Sequence, residues 1–225
     1  MMSSYDMPRA SEACANLASQ LSAMGVHPAS GKPKERVLPS GIALLDEFLG
    51  GGLPLGAVTE WGVPLGKSGR EVVLTWLARA TQGGAGESPT WALWVYARAQ
   101  LIVYPPGWAA RGVELERMRF VCTGAPLADL KPVFLEPLFK IVVLDAPRQF
   151  TDDDCAFVAR QARANGQAVL VLRDTFLKSG QGNVWARLRV NCWRDDEARQ
   201  FRLNIVRGLS PRQLALPDET LAARQ

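Results

Sequence analysis

Two stretches carry residue types that could do chemistry. The first, Gly62-Val-Pro-Leu-Gly66-Lys67-Ser68-Gly69-Arg70-Glu71, is a glycine-rich loop with a lysine, a hydroxyl, an arginine and a carboxylate in close succession. The second, Lys140-Ile-Val-Val-Leu-Asp145, is an apolar run that ends in a carboxylate. Glycines let backbone N–H groups turn toward an anion, and a lysine adds a point charge. A hydroxyl and an aspartate can hold magnesium with its water shell. The chemistry on offer is therefore binding of a phosphate chain and its metal. A working loop reads G-x-x-x-x-G-K-[ST]. Gly62 to Ser68 contains the Gly-Lys-Ser end, but the loop before it is one residue short.

The elements that must position these groups are legible on either side. Ser40 is expected to cap a short helix with Ile42, Leu45, Phe48 and Leu49 at helical spacing, stopped by Gly50 to Gly52. Ala57–Trp61 reads as a strand, followed by the loop Gly62–Gly69 and a helix opening near Arg70, with Val73, Leu74 and Leu77 inward and its end at Thr81. Trp91–Tyr96 reads as a strand buried on both faces. A short helix is expected from Trp108–Arg111, a strand near Phe120, and a helix from Leu127 to Phe139. Thr151 begins a helix that runs to Asn165, where Gly166 ends it, and Ala168–Leu172 is the next buried strand. Arg187–Trp193 and Phe201–Arg207 alternate as strands around a turn at Asp195–Glu197. The class is α/β.

The whole order LPSGIALLDEFLGGGLPLGAVTE, then the glycine loop, resembles the nucleotide-binding region of RecA-type recombinases, and the resemblance fades toward Gly208. Within that superfamily it is similar to the ImuA-type accessory proteins of bacterial inducible-mutagenesis cassettes. The resemblance implies a three-layer RecA-like core with a mostly parallel sheet at 37–208. Residues 1–27 read as an N-terminal helical arm, the polar, proline-broken 28–36 as a linker and the polar 209–225 as a flexible C-terminal tail. The helix LTWLARATQ resembles the RecA helix after the Walker A loop, and it favours a register in which Gly69-Arg70-Glu71 stands at the phosphates. Arg70 then replaces the lysine and Glu71 the magnesium hydroxyl, a carboxylate that would repel phosphates. Asp145 resembles the Walker B aspartate. Arg98 occupies the position of the family's catalytic glutamate and cannot act as a base on water. Both DNA-binding loops of the recombinases look trimmed. Arg207 stands where a basic residue of that fold reaches a neighbouring subunit's phosphates.

Composition sets outer bounds. The chain has 225 residues with 48% apolar, enough for one α/β domain, and no run approaches a membrane span. The first residues lack the pattern of a signal peptide. Cys14, Cys122, Cys155 and Cys192 are scattered, and His27 is the single histidine. These read as buried thiols in a cytoplasmic protein with no metal site. The net charge is +4, and the basic excess is concentrated between Arg173 and Arg212. Lys178, Arg187, Arg189 and Arg207 are candidate nucleic-acid contacts there; a sheet edge defended by arginines is the equal alternative. Leu17, Leu21 and Met24 form an apolar stripe on the arm that could dock a partner or the chain's own core.

The resemblance implies a non-catalytic accessory role in the SOS response to DNA damage, in translesion synthesis. The implied partners are RecA and an ImuB-type, Y-family-like polymerase homologue, with weak DNA contact and no cofactor, ATP binding being disfavoured by the loop. A working ATPase using Lys67, Ser68 and Asp145, and a cell-division inhibitor of the SulA type, are the alternatives.

Overall fold

The computed structural model describes residues 36–84, 87–97, 103–180 and 182–222. Leu17, Leu21, Met24 and Arg98 lie outside the described residues, as do His27 and Cys14. Arg36 onward forms one compact unit.

An eight-stranded mixed sheet organises this unit. Its strands are β3 (Ala57–Gly62), β4 (Trp91–Tyr96), β5 (Met118–Cys122), β6 (Phe139–Asp145), β7 (Ala168–Arg173), β8 (Leu188–Asp195), β9 (Gln200–Arg207) and β10 (Gln213–Pro217). Across the sheet the order is β10-β9-β8-β3-β7-β6-β4-β5. Strands β8 through β5 in that order run parallel, while β9 and β10 are antiparallel additions. A separate two-residue ribbon pairs β1 (Val37–Leu38) with β2 (Leu53–Pro54).

Helices cover both faces because the parallel strands are apolar on both. Side chains alternate strictly along β6. Ile141 and Val143 join a core with Trp61, Trp94 and the helix α2 (Arg70–Gln82). Val142 and Leu144 join the opposite core with α4 (Pro126–Leu135) and α5 (Asp152–Asn165). The remaining helices are short: α1 (Ala43–Phe48), α3 (Pro105–Ala109) and α6 (Asp218–Ala222). This is a layered α/β architecture with helix, sheet and helix.

Local chemistry explains most boundaries. Thr151 and Asp154 form a reciprocal capping box at the start of α5, with N–H···O distances of 2.8 and 3.2 Å, and Gly166 ends it in the left-handed region. The expected Ser40 cap is not made. Helix α1 starts from Ile42, and the Ser40 hydroxyl instead accepts the Ile42 N–H at 3.0 Å. Asp46 holds the Ser40 and Gly41 N–H groups from inside the helix. The helix expected to run to Phe139 ends at Leu135. It is kinked at Leu130, ahead of Pro132, because proline lacks the N–H and crowds the preceding turn. Phe139 already belongs to β6. The short helix expected from Trp108 begins earlier, at Pro105.

The stretch from Leu209 is not a plain tail. Leu216 in β10 is fully buried and Leu221 in α6 nearly so, and β10 pairs with β9 along its whole length. Cys122 also departs from expectation: it is exposed on the edge strand β5, whereas Cys155 and Cys192 are buried. Leu216→Ala should therefore cost about 2–5 kcal/mol, the usual range for emptying a buried leucine site. A urea melt reads the loss; a change within about 0.5 kcal/mol, typical of a surface site, would mean that 209–222 is a dispensable tail after all.

Candidate functional site

The carboxyl ends of β3, β7 and β6 open on one side of the sheet, where ligands bind in open α/β folds. Strand β3 is buried at every residue and delivers the glycine loop there. Trp61 on β3 packs against Trp76 on α2, ring centroids 5.5 Å apart, so the strand and the following helix are locked across the loop. Gly69 permits this approach, because a Cβ there would lie 2.3 Å from the Cys192 carbonyl oxygen. The loop is also tied at its other end, where the Val63 N–H donates to the Arg173 carbonyl at 2.7 Å.

Helix α2 opens at Arg70, so Arg70 and Glu71 stand in its first turn while Lys67 and Ser68 remain in the loop, exposed. The loop backbone is partly spoken for. The Lys67 N–H turns back to the Pro64 carbonyl, and the Lys67 carbonyl accepts the Arg194 N–H at 2.6 Å. Gly62 and Gly66 flank this arrangement. A Cβ on Gly62 would meet Asn191 Oδ1 at 2.2 Å, whereas Gly66, at positive φ, faces open space.

Arg70 reaches across the crevice to Asp145, 75 positions later in the chain. Its Nε lies 3.0 and 3.1 Å from the two carboxylate oxygens, and Nη2 lies 2.9 Å from Oδ1. Nη1 donates to the Val63 carbonyl at 2.7 Å. One guanidinium thus ties together the glycine loop, the first turn of α2 and the end of β6. The Asp145 side chain is 2% exposed and that of Arg70 19%. Burial pushes the Asp145 carboxyl above the ordinary carboxylate range, and the Arg70 hydrogen bonds and charge pull it part of the way back. Beside it, Glu71 is paired with Arg111.

The arrangement does not fit a magnesium–triphosphate. The carboxylate that would hold the metal already carries guanidinium N–H donors on both oxygens. A second carboxylate, Glu71, adds negative charge in the first turn of α2. The cavity lined by Arg70, Glu71, Leu74, Trp94, Val103, Trp108 and Asp145 measures about 170 Å³, below the roughly 300–1,000 Å³ of ordinary ligand sites, whereas a larger one of about 780 Å³ touches Glu71 together with Arg111, Arg194 and Asp218. Trp94 and Trp108 fill much of this corner edge to face, with centroids 4.6 Å apart. Among the described residues no group of His, Cys, Asp and Glu could hold a metal ion.

The basic candidates between Arg173 and Arg212 fall into distinct roles. Arg189, on β8, is 3% exposed and donates from Nε to Glu60 at 2.7 Å. Arg207 spends Nη2 on the carbonyls of Asn183, Val184 and Ala186. Lys178 and Arg187 are exposed. Arg194 and Arg202 pair with Asp218, Asp196 and Asp195 around the β8–β9 hairpin. Sequence reasoning did not anticipate the Glu60 pairing, although a signal was present: a carboxylate inside an otherwise uncharged buried strand must find a cation. No protein-family model matches the chain, and no curated protein matches it either.

A buried ion pair that bridges two elements has a testable energetic signature. Arg70→Ala alone should cost about 3–5 kcal/mol by stranding the Asp145 carboxylate, while replacing both partners with apolar residues (Arg70→Met with Asp145→Leu) should recover most of it. The pH dependence follows from the raised folded-state pKa of Asp145. A raised group favours the fold most below its unfolded pKa and loses that contribution as pH rises through the folded value. Without Arg70 that value climbs further, so the penalty of Arg70→Ala should shrink toward acid pH. Urea melts of parent and variants at acid and neutral pH measure this. A penalty that grows as the pH falls would contradict it.

Proposed function

We propose that the chain is a RecA-like accessory protein without nucleotide turnover. It acts in DNA-damage-induced mutagenesis by binding RecA and an ImuB-type, Y-family-like polymerase homologue. The observation that carries the reading is Arg70 bound to Asp145 across the crevice. The scaffold of a nucleotide site is kept, and the groups that would grip metal and phosphate are bonded to each other. Support also comes from the chain order, in which a short helix, a Gly-Gly-Gly-Leu-Pro turn, a buried strand, the loop and an aspartate-ended strand follow one another. The segment between β6 and β7 holds little beyond α5, which leaves no room for a long DNA-binding loop.

The working-ATPase alternative asks Lys67 and Ser68 to serve the phosphates, yet both are exposed and outside the first turn of α2. The SulA-type alternative has no specific observation in its favour. DNA contact, in this reading, is weak and falls to the exposed side chains of Lys178, Arg187 and Arg207, Arg189 being buried against Glu60. Such binding falls steeply with salt, since its energy is counterion release. The proposed site of action is the cytoplasm; among the described residues no helix is long and apolar enough to cross a membrane.

Phosphate release should stay below about 1 per second, the lower end of ordinary enzyme turnover, with or without single-stranded DNA. Faster turnover that is lost in Lys67→Ala would restore the ATPase reading. The partner claim rests on the apolar stripe Leu17, Leu21 and Met24. In this reading those side chains anchor the chain on RecA, as a subunit that joins a filament but cannot be joined. Leu17→Glu with Leu21→Glu should abolish RecA binding and inhibition of strand exchange, because a few apolar anchors carry most docking energy. A folded double variant that binds and inhibits like the parent would remove the arm from the account.

A further inference from the structure

On the opposite face of the sheet from Asp145 lies a second, larger pocket of about 510 Å³, a volume within the ~300–1,000 Å³ of ordinary small-molecule sites. Its floor is the Glu60 carboxylate, 2% exposed at the centre of the sheet. The register sets Glu60 beside Arg189 on β8, while Arg173 ends β7 on the other side. Each arginine takes one carboxylate oxygen: Arg173 Nε at 2.9 Å from Oε1, and Arg189 Nε at 2.7 Å from Oε2.

Two guanidinium groups on one carboxylate leave an excess positive charge at the bottom of the pocket. Lys178 adds another at the wall, and Asp152 offsets one. The two arginines do not finish their donors on Glu60. Arg173 spends Nε there and keeps 29% of its side chain exposed. Asn183, which lines the same pocket and is 3% exposed, uses Oδ1 to accept the Trp185 N–H, and its buried Nδ2 has no acceptor among the described residues. The pocket thus keeps an excess positive charge and a buried donor without an acceptor, and both oxygens of Glu60 are already engaged, which disfavours a cation.

The walls are held in place before any ligand arrives. Asn191 clasps the Leu177 backbone in both directions, at 2.7 and 3.1 Å. Arg189 Nη1 donates to the Lys178 carbonyl at 3.2 Å, and a Cβ on Gly182 would lie 2.4 Å from Arg189 Nη2, so loop and guanidinium fit closely. Preorganised donors of this kind are the usual makings of an oxyanion site.

We propose that this pocket, floored by Glu60 with Arg173 and Arg189 and walled by Lys178 and Asn183, binds a phosphate group. The group is either free phosphate or the phosphate of a mononucleotide. The site is separate from the glycine loop and stands whether or not the accessory-protein reading holds.

The test is a calorimetric titration of the full chain with inorganic phosphate, with adenosine monophosphate and with adenosine. Saturable binding of phosphate or the monophosphate, but not of adenosine, is expected. Monophosphate binding much tighter than phosphate identifies the nucleotide as the source, and equal affinity identifies free phosphate. Arg173→Gln leaves Arg189 on Glu60 and should weaken binding about tenfold or more, the loss expected for a charged hydrogen bond. Lys178→Glu, at an exposed position, should weaken it as well and serves if the first variant fails to fold. Lys67→Ala should have no effect. No saturable binding of either phosphate compound, affinity indifferent to Arg173→Gln and Lys178→Glu, or binding lost in Lys67→Ala would each overturn the proposal.

Discussion

The Arg70–Asp145 pair is the contact on which the crevice depends. A guanidinium at the first residue of α2 supplies the positive charge that the buried Asp145 carboxylate requires. Asp145 is forced into the sheet's interior by the apolar run that precedes it, and a carboxylate at 2% exposure must be compensated. Arg70 does this from within the fold, and its Nη1 donation to the Val63 carbonyl fixes the loop to the same point. The Trp61–Trp76 packing and the close passage of Gly69 under β8 hold α2 at the distance this bond needs. Loop, helix and strand are thus set by one interaction, and the Glu71–Arg111 pair continues the charge balance outward.

Glu60 repeats the same logic two strands along the sheet, on its opposite face. Again a carboxylate is buried in the central strand, and again arginines from neighbouring elements neutralise it. The difference lies in the surplus. At Asp145 one arginine meets one carboxylate beside a small cavity lined mainly by tryptophan, leucine and valine. At Glu60 two arginines meet one carboxylate beside a larger polar pocket. Buried ion pairs contribute little net stability compared with apolar packing, because desolvation offsets the attraction. Their value here is in orientation: each fixes which strand ends and loops face one another.

Features written in local sequence were legible before the structure. The helix start at Thr151, the glycine stop after α1, the strand Trp91–Tyr96 and the opening of α2 at Arg70 each rest on spacing or on a residue's own backbone preference. What could not be read depends on partners distant in sequence. Arg70 and Asp145 were both singled out, but nothing local says that they touch. Arg189 sits in an alternating run whose polar face would normally meet solvent, and only the parallel neighbour β3 turns it inward to Glu60. Strand β10 hid in a polar stretch because an added outer strand buries few residues, here chiefly Leu216. Cys122 is exposed because β5 is the last strand of the sheet, a position set by the order of strands.

The account stands on the guanidinium remaining where metal and phosphate would go. A crystal structure grown with saturating magnesium and a non-hydrolysable ATP analogue examines that position directly. The account predicts Arg70 still bonded to Asp145 and the Val63 carbonyl, with no triphosphate in the glycine loop. A triphosphate seated in the loop, magnesium on Asp145 and Arg70 swung away would contradict it.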